Sequence, residues 1–341
     1  MKKIFVMAAM VLGVSAAYAG DSEPLKAITK SKTYAEAEAL LNSTLDQLAS
    51  PQEKAKAYNK LYELSMKDFE TVSAVIAENQ RAAVMKTEQQ AYDTAAYYNS
   101  AYNAVKAAVE CDKYDGQPDA KGKTKIAYRK DETRLQKLTQ ARLELVNGGQ
   151  WIDGKNDEAG LLKYWGLFLE SRNTHLFEAL PKEPFLGQVA FYAGAYAERA
   201  NKLEKANLYF DIAMQDPEWA EKAENAKFEV AGKNLKTEAD TLRYIGQLKD
   251  LYTQKNSEAA FSVLCKLYSS SNKTAELNAL VEDMLKKNPT NFLALAYHTQ
   301  SIADAVSRQE ENQNWDPAIE AYKKLLDASD KNQAFVYAGL G

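Results

Sequence analysis

The sequence contains little of what reactive and metal-binding sites require. Its 341 residues include two cysteines and two histidines, too few for a metal site rich in either residue. The motifs G-x-S-x-G, H-E-x-x-H and C-x-x-C, which mark serine hydrolases, zinc proteases and thiol redox centres, do not occur. We therefore expect no catalysis, no metal and no cofactor. An enzyme assembled from carboxylates that the fold brings together is a third-ranked alternative.

Turn-forming residues are also scarce. With 15 glycines and 8 prolines, the chain has too few of them for an all-β fold with many hairpins. Stretches such as TYAEAEALLNSTLDQL and SPQEKAKAYNKLYELSMKDF instead place apolar residues three and four positions apart. This is the spacing of amphipathic helices, so the sequence predicts an all-α protein without strands.

The chain lacks an excess of basic residues. Its formal net charge is −4 at pH 7, and lysines alternate with glutamates in stretches such as KLEKAN and EKAENAK. Binding to phosphate backbones depends on clustered lysine and arginine. Nucleic acid is therefore not an expected partner.

Long apolar segments are missing beyond the first residues. Lys2 and Lys3 precede an apolar stretch that starts at Ile4 and ends in Ala17-Tyr18-Ala19, a pattern typical of a secretory signal over residues 1–19, cut after Ala19. No later segment approaches the roughly 20 apolar residues of a spanning helix. We expect a periplasmic or secreted protein without membrane insertion and, since no cysteine follows the cut, without a lipid anchor.

The two cysteines, Cys111 and Cys265, lie far apart in the sequence. An oxidising compartment would permit a disulfide between them. Buried free thiols are the favoured interpretation, because a thiol packs as a small apolar group.

A repeated pattern is present in YAGAYAERANKLEKANLYFDIAMQDP. Gly194 is followed by Ala206-x3-Phe210 and then by Pro217. This order matches the small residue of a first helix, the Ala-x3-Phe pair of a second helix and the final proline of a 34-residue helical repeat, with the proline one position early. At the positions of the first helix that precede Gly194, where this repeat usually has larger residues, the chain has alanines.

Three other stretches keep this order. FSVLCKLYSSSNKTAELNALVEDMLKKNP does so with Phe261, Leu264, Cys265, Tyr268, Leu277 and Pro289. LELVNGGQWIDGKNDEAGLLKYWGLFL has Gly149, Leu161 and Trp165 at the matching positions. In the third stretch, WDPAIEAYKKLL has Ala318 and Tyr322 on the second helix, and the preceding first helix has His298 at the position where the repeat has leucine. These residues are expected to pack helix against helix, and His298 is expected to be a packed histidine rather than a ligand.

These motifs resemble the tetratricopeptide repeat (TPR) family, specifically the secreted helical-repeat proteins of Gram-negative bacteria with a divergent helical N-terminal region. The array would cover residues 131–341 and would be cut short in its last repeat, because AFVYAGLG fills only the slots of a first helix. Residues 20–130 would form the divergent region, with a loop near residues 112–124. The resemblance implies an α-solenoid of antiparallel helix pairs, a right-handed superhelix whose concave groove binds a protein or peptide without catalysis.

Positions displaced around the first helices from the packing slots are the candidates for that groove. They are Phe191, Glu198, Arg199, Lys266, Ser269, Gln300 and Asp304. The alternative function is carbohydrate binding in a nutrient-uptake system, with rings stacking on a glycan. Its candidates are Trp151, Trp165, Trp219 and Trp315.

Two short patterns have a structural and a functional interpretation. Asp112, Asp115 and Asp119 lie in CDKYDGQPDAKGKTK, but their spacing is not that of a calcium loop and the GKT is one residue too far from Gly116 for a phosphate loop. We expect a polar surface loop.

Asp93-Thr94 and Asp240-Thr241 match the first two residues of a three-residue pattern that some bacteria O-glycosylate. The favoured explanation is that each pair helps to start a helix.

Overall fold

Helices make up most of the chain that the computed structural model describes, namely residues 20–119, 121–233, 235, 237–309 and 313–328. No strand occurs in these ranges, and their β-type pairing is limited to one isolated antiparallel bridge between Pro118 and Thr124. The all-α prediction is confirmed for this part of the chain. The predicted signal over residues 1–19 and the half repeat at the end lie outside the described residues.

The chain divides between Glu183 and Pro184 into two compact units, called here the N-terminal and the C-terminal unit. The N-terminal unit contains α1 (Glu23–Lys30), α2 (Tyr34–Thr44), a 3-10 turn (Leu45–Gln47), α3 (Pro51–Met85), α4 (Thr94–Asp115), α5 (Glu132–Asp153) and α6 (Glu158–Ser171). Helices α5 and α6, which fall within the repeat array expected over residues 131–341, lie in the N-terminal unit.

The C-terminal unit has eight helices of 11–18 residues in the part of the chain that the structure describes. They are α7 (Leu186–Arg199), α8 (Leu203–Ala213), α9 (Ala220–Lys233), α10 (Glu238–Lys255), α11 (Glu258–Ser270), α12 (Thr274–Lys287), α13 (Phe292–Ser307) and α14 (Asp316–Asp327). Most helices of this unit pack on the helix that follows them, as α7 does on α8 and α13 on α14. Pro217 and Pro289 lie just beyond the ends of α8 and α12, where a proline costs no helical hydrogen bond.

Side-chain caps explain where many of these helices begin. Ser50 accepts a hydrogen bond from the Glu53 N–H at the start of α3, and Pro51 occupies the first turn, as the sequence indicates. Asp93 caps α4 in the same way by accepting from the Ala96 N–H. Thr237 caps α10 and donates its hydroxyl to Asp240. Both Asp-Thr pairs therefore contribute to helix starts.

Small residues allow the helices of a pair to approach closely. A Cβ added at Gly194 would lie 2.5 Å from Phe210 Cε1, and one at Gly149 would lie closer than 3.0 Å to Trp165 Nε1. Both distances are too short for a real contact. The Trp165 indole N–H donates to the Val146 carbonyl across the same crossing at 3.0 Å. These are contacts of a small residue against a large one, of the kind that the repeat pattern predicts.

Other positions of the predicted repeat pattern are buried or partly buried in the C-terminal unit. Ala206, Phe210, Phe261, Leu264, Cys265, Tyr268 and Ala318 are buried, whereas Leu277 and Tyr322 are partly buried. Cys111 and Cys265 are both buried free thiols. The Cys111 thiol donates to the Ala55 carbonyl at 3.3 Å.

Residues 121–125 of the expected polar surface loop are exposed, but the first part of the range 112–124 belongs to α4 and is anchored by buried carboxylates. The helix continues to Asp115, so Asp112 and Asp115 lie in its last turn and are buried. Asp115 accepts the backbone N–H groups of residues 127, 128 and 129, and Asp112 binds Arg129. Both carboxylates are therefore bonded within the chain, and they attach residues 127–129 to the end of α4.

Candidate functional site

Three helices of the C-terminal unit lie side by side. Both α7 and α11 pack on α9, and each is joined to it by an ion pair. Lys233 Nζ of α9 lies 2.9 Å from Glu198 Oε1 of α7, and Glu229 of α9 pairs with Lys266 of α11. We call the surface that carries these four side chains the α7–α9–α11 face. Two residues predicted for the groove, Glu198 and Lys266, thus meet the same neighbouring helix.

The remaining predicted groove residues differ in exposure. Arg199, Ser269 and Gln300 are exposed and Asp304 is partly exposed. Gln300 donates to Asp304 on the same helix at 2.8 Å. The structure therefore gives these four positions polar groups that a partner could reach.

Phe191 serves a packing role that the sequence did not predict. Its ring centroid lies 5.9 Å from that of Phe210 and 5.2 Å from that of Trp219. The ring is partly buried, and these neighbours contact it from α8 and from the segment before α9. Phe191 is better described as part of the seam between helices than as an open anchor for a ligand.

A cavity of about 720 Å³ adjoins this face. It lies at the turn between α7 and α8, where Asn201 adopts a left-handed backbone with φ of 56°. Lys202, Lys205 and Lys233 line it with one acidic residue, Glu204. Lys233 belongs to both the cavity and the face. The closely spaced lysines of KLEKAN were the signal in the sequence that could have indicated this cavity.

The four tryptophans considered for glycan stacking differ in exposure. Trp165 and Trp219 are buried, with 7% and 9% of their surface exposed, because their rings fill contacts between helices. Trp151 is partly buried and Trp315 is 42% exposed. The choice of Trp165 and Trp219 as stacking platforms is therefore wrong.

The histidines lie in separate units. His298 is partly buried and lines a cavity of about 190 Å³ with Asn278, Glu282 and Ser301. His175 is largely exposed, with Nδ1 at 3.5 Å from an Asp112 carboxylate oxygen. In the described ranges, no three side chains of His, Cys, Asp or Glu are grouped so that they could hold a metal ion.

Comparison with protein-family models finds no match for this chain, and comparison with curated proteins finds none either. Of the helices described, none combines the length and the apolar character needed to cross a bilayer.

Proposed function

We propose that this chain is a non-catalytic, periplasmic or secreted scaffold that binds a protein or peptide segment on the α7–α9–α11 face. The observation that carries the proposal is the row of three helices, joined by the Glu198–Lys233 and Glu229–Lys266 ion pairs, which leads into the cavity of about 720 Å³. The contact of Gly194 with Phe210 supports a TPR-like unit made of α7 and α8.

The chemistry of this face suits an extended peptide. Exposed polar side chains such as Arg199 and Ser269 can bond to the backbone groups that an extended chain leaves free. The cavity has three lysines and one glutamate, and Lys233 is already paired with Glu198, so the positive charge that remains complements an acidic side chain of the ligand. Complementary charge of this kind mainly sets orientation and the rate of association.

A displayed random-peptide library tests the proposal. Peptides would be selected on the wild-type chain and then measured on the double variant Lys202→Glu and Lys205→Glu, which reverses charge at two exposed positions of the cavity. The matched control is Lys255→Glu, an exposed lysine at the end of α10. We expect the double variant to lose binding of the selected peptides and the control to retain it.

Two results would contradict the proposal. One is that no peptide is enriched on the chain relative to an unrelated helical protein. The other is that the double variant and the Lys255→Glu control bind the selected peptides equally well. Circular dichroism of both variants would show that the helices are intact.

The carbohydrate alternative gains no support from the predicted tryptophans, since Trp165 and Trp219 are buried. Trp315 is exposed, but a single exposed ring does not define a glycan site.

A further inference from the structure

The N-terminal unit contains a cavity of about 110 Å³ that the groove proposal does not use. It opens between α2, α3 and α4, and its apolar floor consists of Leu41, Leu61 and Ala107. These three residues are almost fully buried, with 2–3% of their surface exposed. The volume is several times the roughly 30 Å³ that one water molecule occupies in the liquid. The cavity is therefore large enough to take part of a small ring and too small for an extended chain.

Two tyrosines form its walls. Tyr58 is held against Tyr114, with ring centroids 5.9 Å apart and planes 7° from parallel. Tyr34 donates its hydroxyl to Glu38 Oε1 at 2.8 Å. Burial raises the pKa of Tyr58 to about 12 and also raises the pKa of Tyr34. Both hydroxyls thus remain protonated at neutral pH and can donate or accept hydrogen bonds.

The charges at the opening compensate each other. Lys106 Nζ lies 3.9 Å from Glu38 Oε1, and Lys113 Nζ lies 2.6 Å from Glu110 Oε1. A ligand with a net charge would compete with these pairs and gain little. The carboxylates still have free acceptor positions, because an ionised carboxylate offers about four and each is partly exposed.

We propose that this pocket binds one six-membered ring of a neutral glycan. The apolar face of the ring would lie on the leucine floor between the tyrosine rings. Its hydroxyls would donate to Glu38 and Glu110 and bond to Asn42, which also lines the pocket. An apolar peptide side chain would leave these polar groups without partners as it displaced their water, which is costly. An anionic ligand would be repelled by the carboxylates of Glu38 and Glu110.

This site is independent of the peptide-binding proposal, since all of its residues belong to the N-terminal unit. The test is saturation-transfer difference NMR on the full chain with the methyl glycosides of glucose, galactose, mannose and N-acetylglucosamine. We expect at least one of them to bind saturably with a dissociation constant of about 1 mM, typical of a small ligand with few contacts.

Variants locate the binding. Glu38→Gln and Tyr58→Ala should each weaken the affinity for that glycoside by about tenfold or more. Their matched controls are Glu88→Gln and Tyr92→Ala, which change exposed residues of the loop before α4 and should leave affinity unchanged. If Tyr58→Ala does not fold, Tyr34→Phe replaces it, because it removes only the hydroxyl bonded to Glu38.

The proposal is overturned if no glycoside of the set binds up to about 10 mM, tenfold above the expected constant. It is equally overturned if a glycoside binds but Glu38→Gln has the same affinity as Glu88→Gln, since the ligand then lies elsewhere. Neither result bears on the peptides selected for the C-terminal unit.

Discussion

The two units of this chain are stabilised in different ways. The N-terminal unit has long helices of 35, 22 and 22 residues, and the buried side chains of Asp115 and Arg142 bond to its connecting segments. The C-terminal unit has helices of 11–18 residues, with charged contacts on its surface. A charge removed from the interior of one unit should therefore matter far more than a charge removed from the surface of the other.

The largest expected change in stability follows from removing Arg142 in the N-terminal unit. Its side chain is fully buried, donates to Ser171 and to the Phe168 carbonyl, and pairs with Glu183. Arg142→Ala should lower the free energy of unfolding by about 3–5 kcal/mol, because it leaves Glu183 largely buried without its main partner. Denaturation followed by tryptophan fluorescence would measure the loss, since Trp151 and Trp165 lie in this unit.

The matched control for this test is Arg243→Ala in the C-terminal unit. Arg243 is 72% exposed and lies 3.8 Å from Asp240, so its removal should cost less than about 1 kcal/mol. Equal losses in the two variants would show that the buried arginine is not a main support of the N-terminal unit.

Close helix contacts provide a second test in both units. Gly149→Ala and Gly194→Ala should each destabilise by about 1–3 kcal/mol, because the added methyl overlaps Trp165 or Phe210. Gly246→Ala is the control, since no atom lies within 4 Å of its added Cβ. That helix-interior change should stabilise by about 0.5–1 kcal/mol. Melting temperatures that fall equally in all three variants would contradict the packing explanation.

The same residues show what could be predicted from the sequence. Gly194 and Phe210, like Gly149 and Trp165, are close along the chain, so a local pattern of small and large residues marks their contact. The helix start at Ser50-Pro51 was predictable for the same reason. The TPR assignment itself stays a prediction.

Contacts between distant residues left no such pattern. Nothing in the sequence pairs Arg142 with Glu183, or brings Tyr34 and Tyr58 to one cavity, since both depend on how long helices cross. The buried position of Asp115 was missed because a carboxylate near Gly116 is usually exposed. Long-range packing, rather than local propensity, determines these parts of the candidate sites.

The two units each contain a buried thiol, so the pH dependence of the unfolding free energy can be compared between them. Burial raises the pKa of Cys111 and of Cys265 to about 12, whereas a thiol in the unfolded chain has a pKa of about 8.5. Their contribution to stability is full below about pH 8.5 and is lost as the pH rises towards 12. At about pH 10 each thiol should account for about 1–2 kcal/mol of the decline.

Single Cys→Ala variants measure this decline for each unit. Cys111→Ala and Cys265→Ala should each flatten the fall of the unfolding free energy between about pH 8.5 and 10, relative to the wild-type chain. The alanine removes the ionisable group while keeping a small apolar side chain. A slope unchanged by either substitution would mean that the thiol ionises as easily in the folded state as in the unfolded chain.

The smallest effect is expected on the α7–α9–α11 face. Lys266→Gln removes an ion pair with Glu229 whose lysine is 59% exposed and whose glutamate is 42% exposed. The cost should be about 0.2–1 kcal/mol, because water screens both charges. Urea unfolding of Lys266→Gln, Glu229→Gln and the double variant would isolate the coupling of the pair. A coupling free energy above about 2 kcal/mol would mean that the ion pair is needed to stabilise the fold. A small coupling would mean that Lys266 can leave Glu229 and pair with an acidic ligand without destabilising the protein.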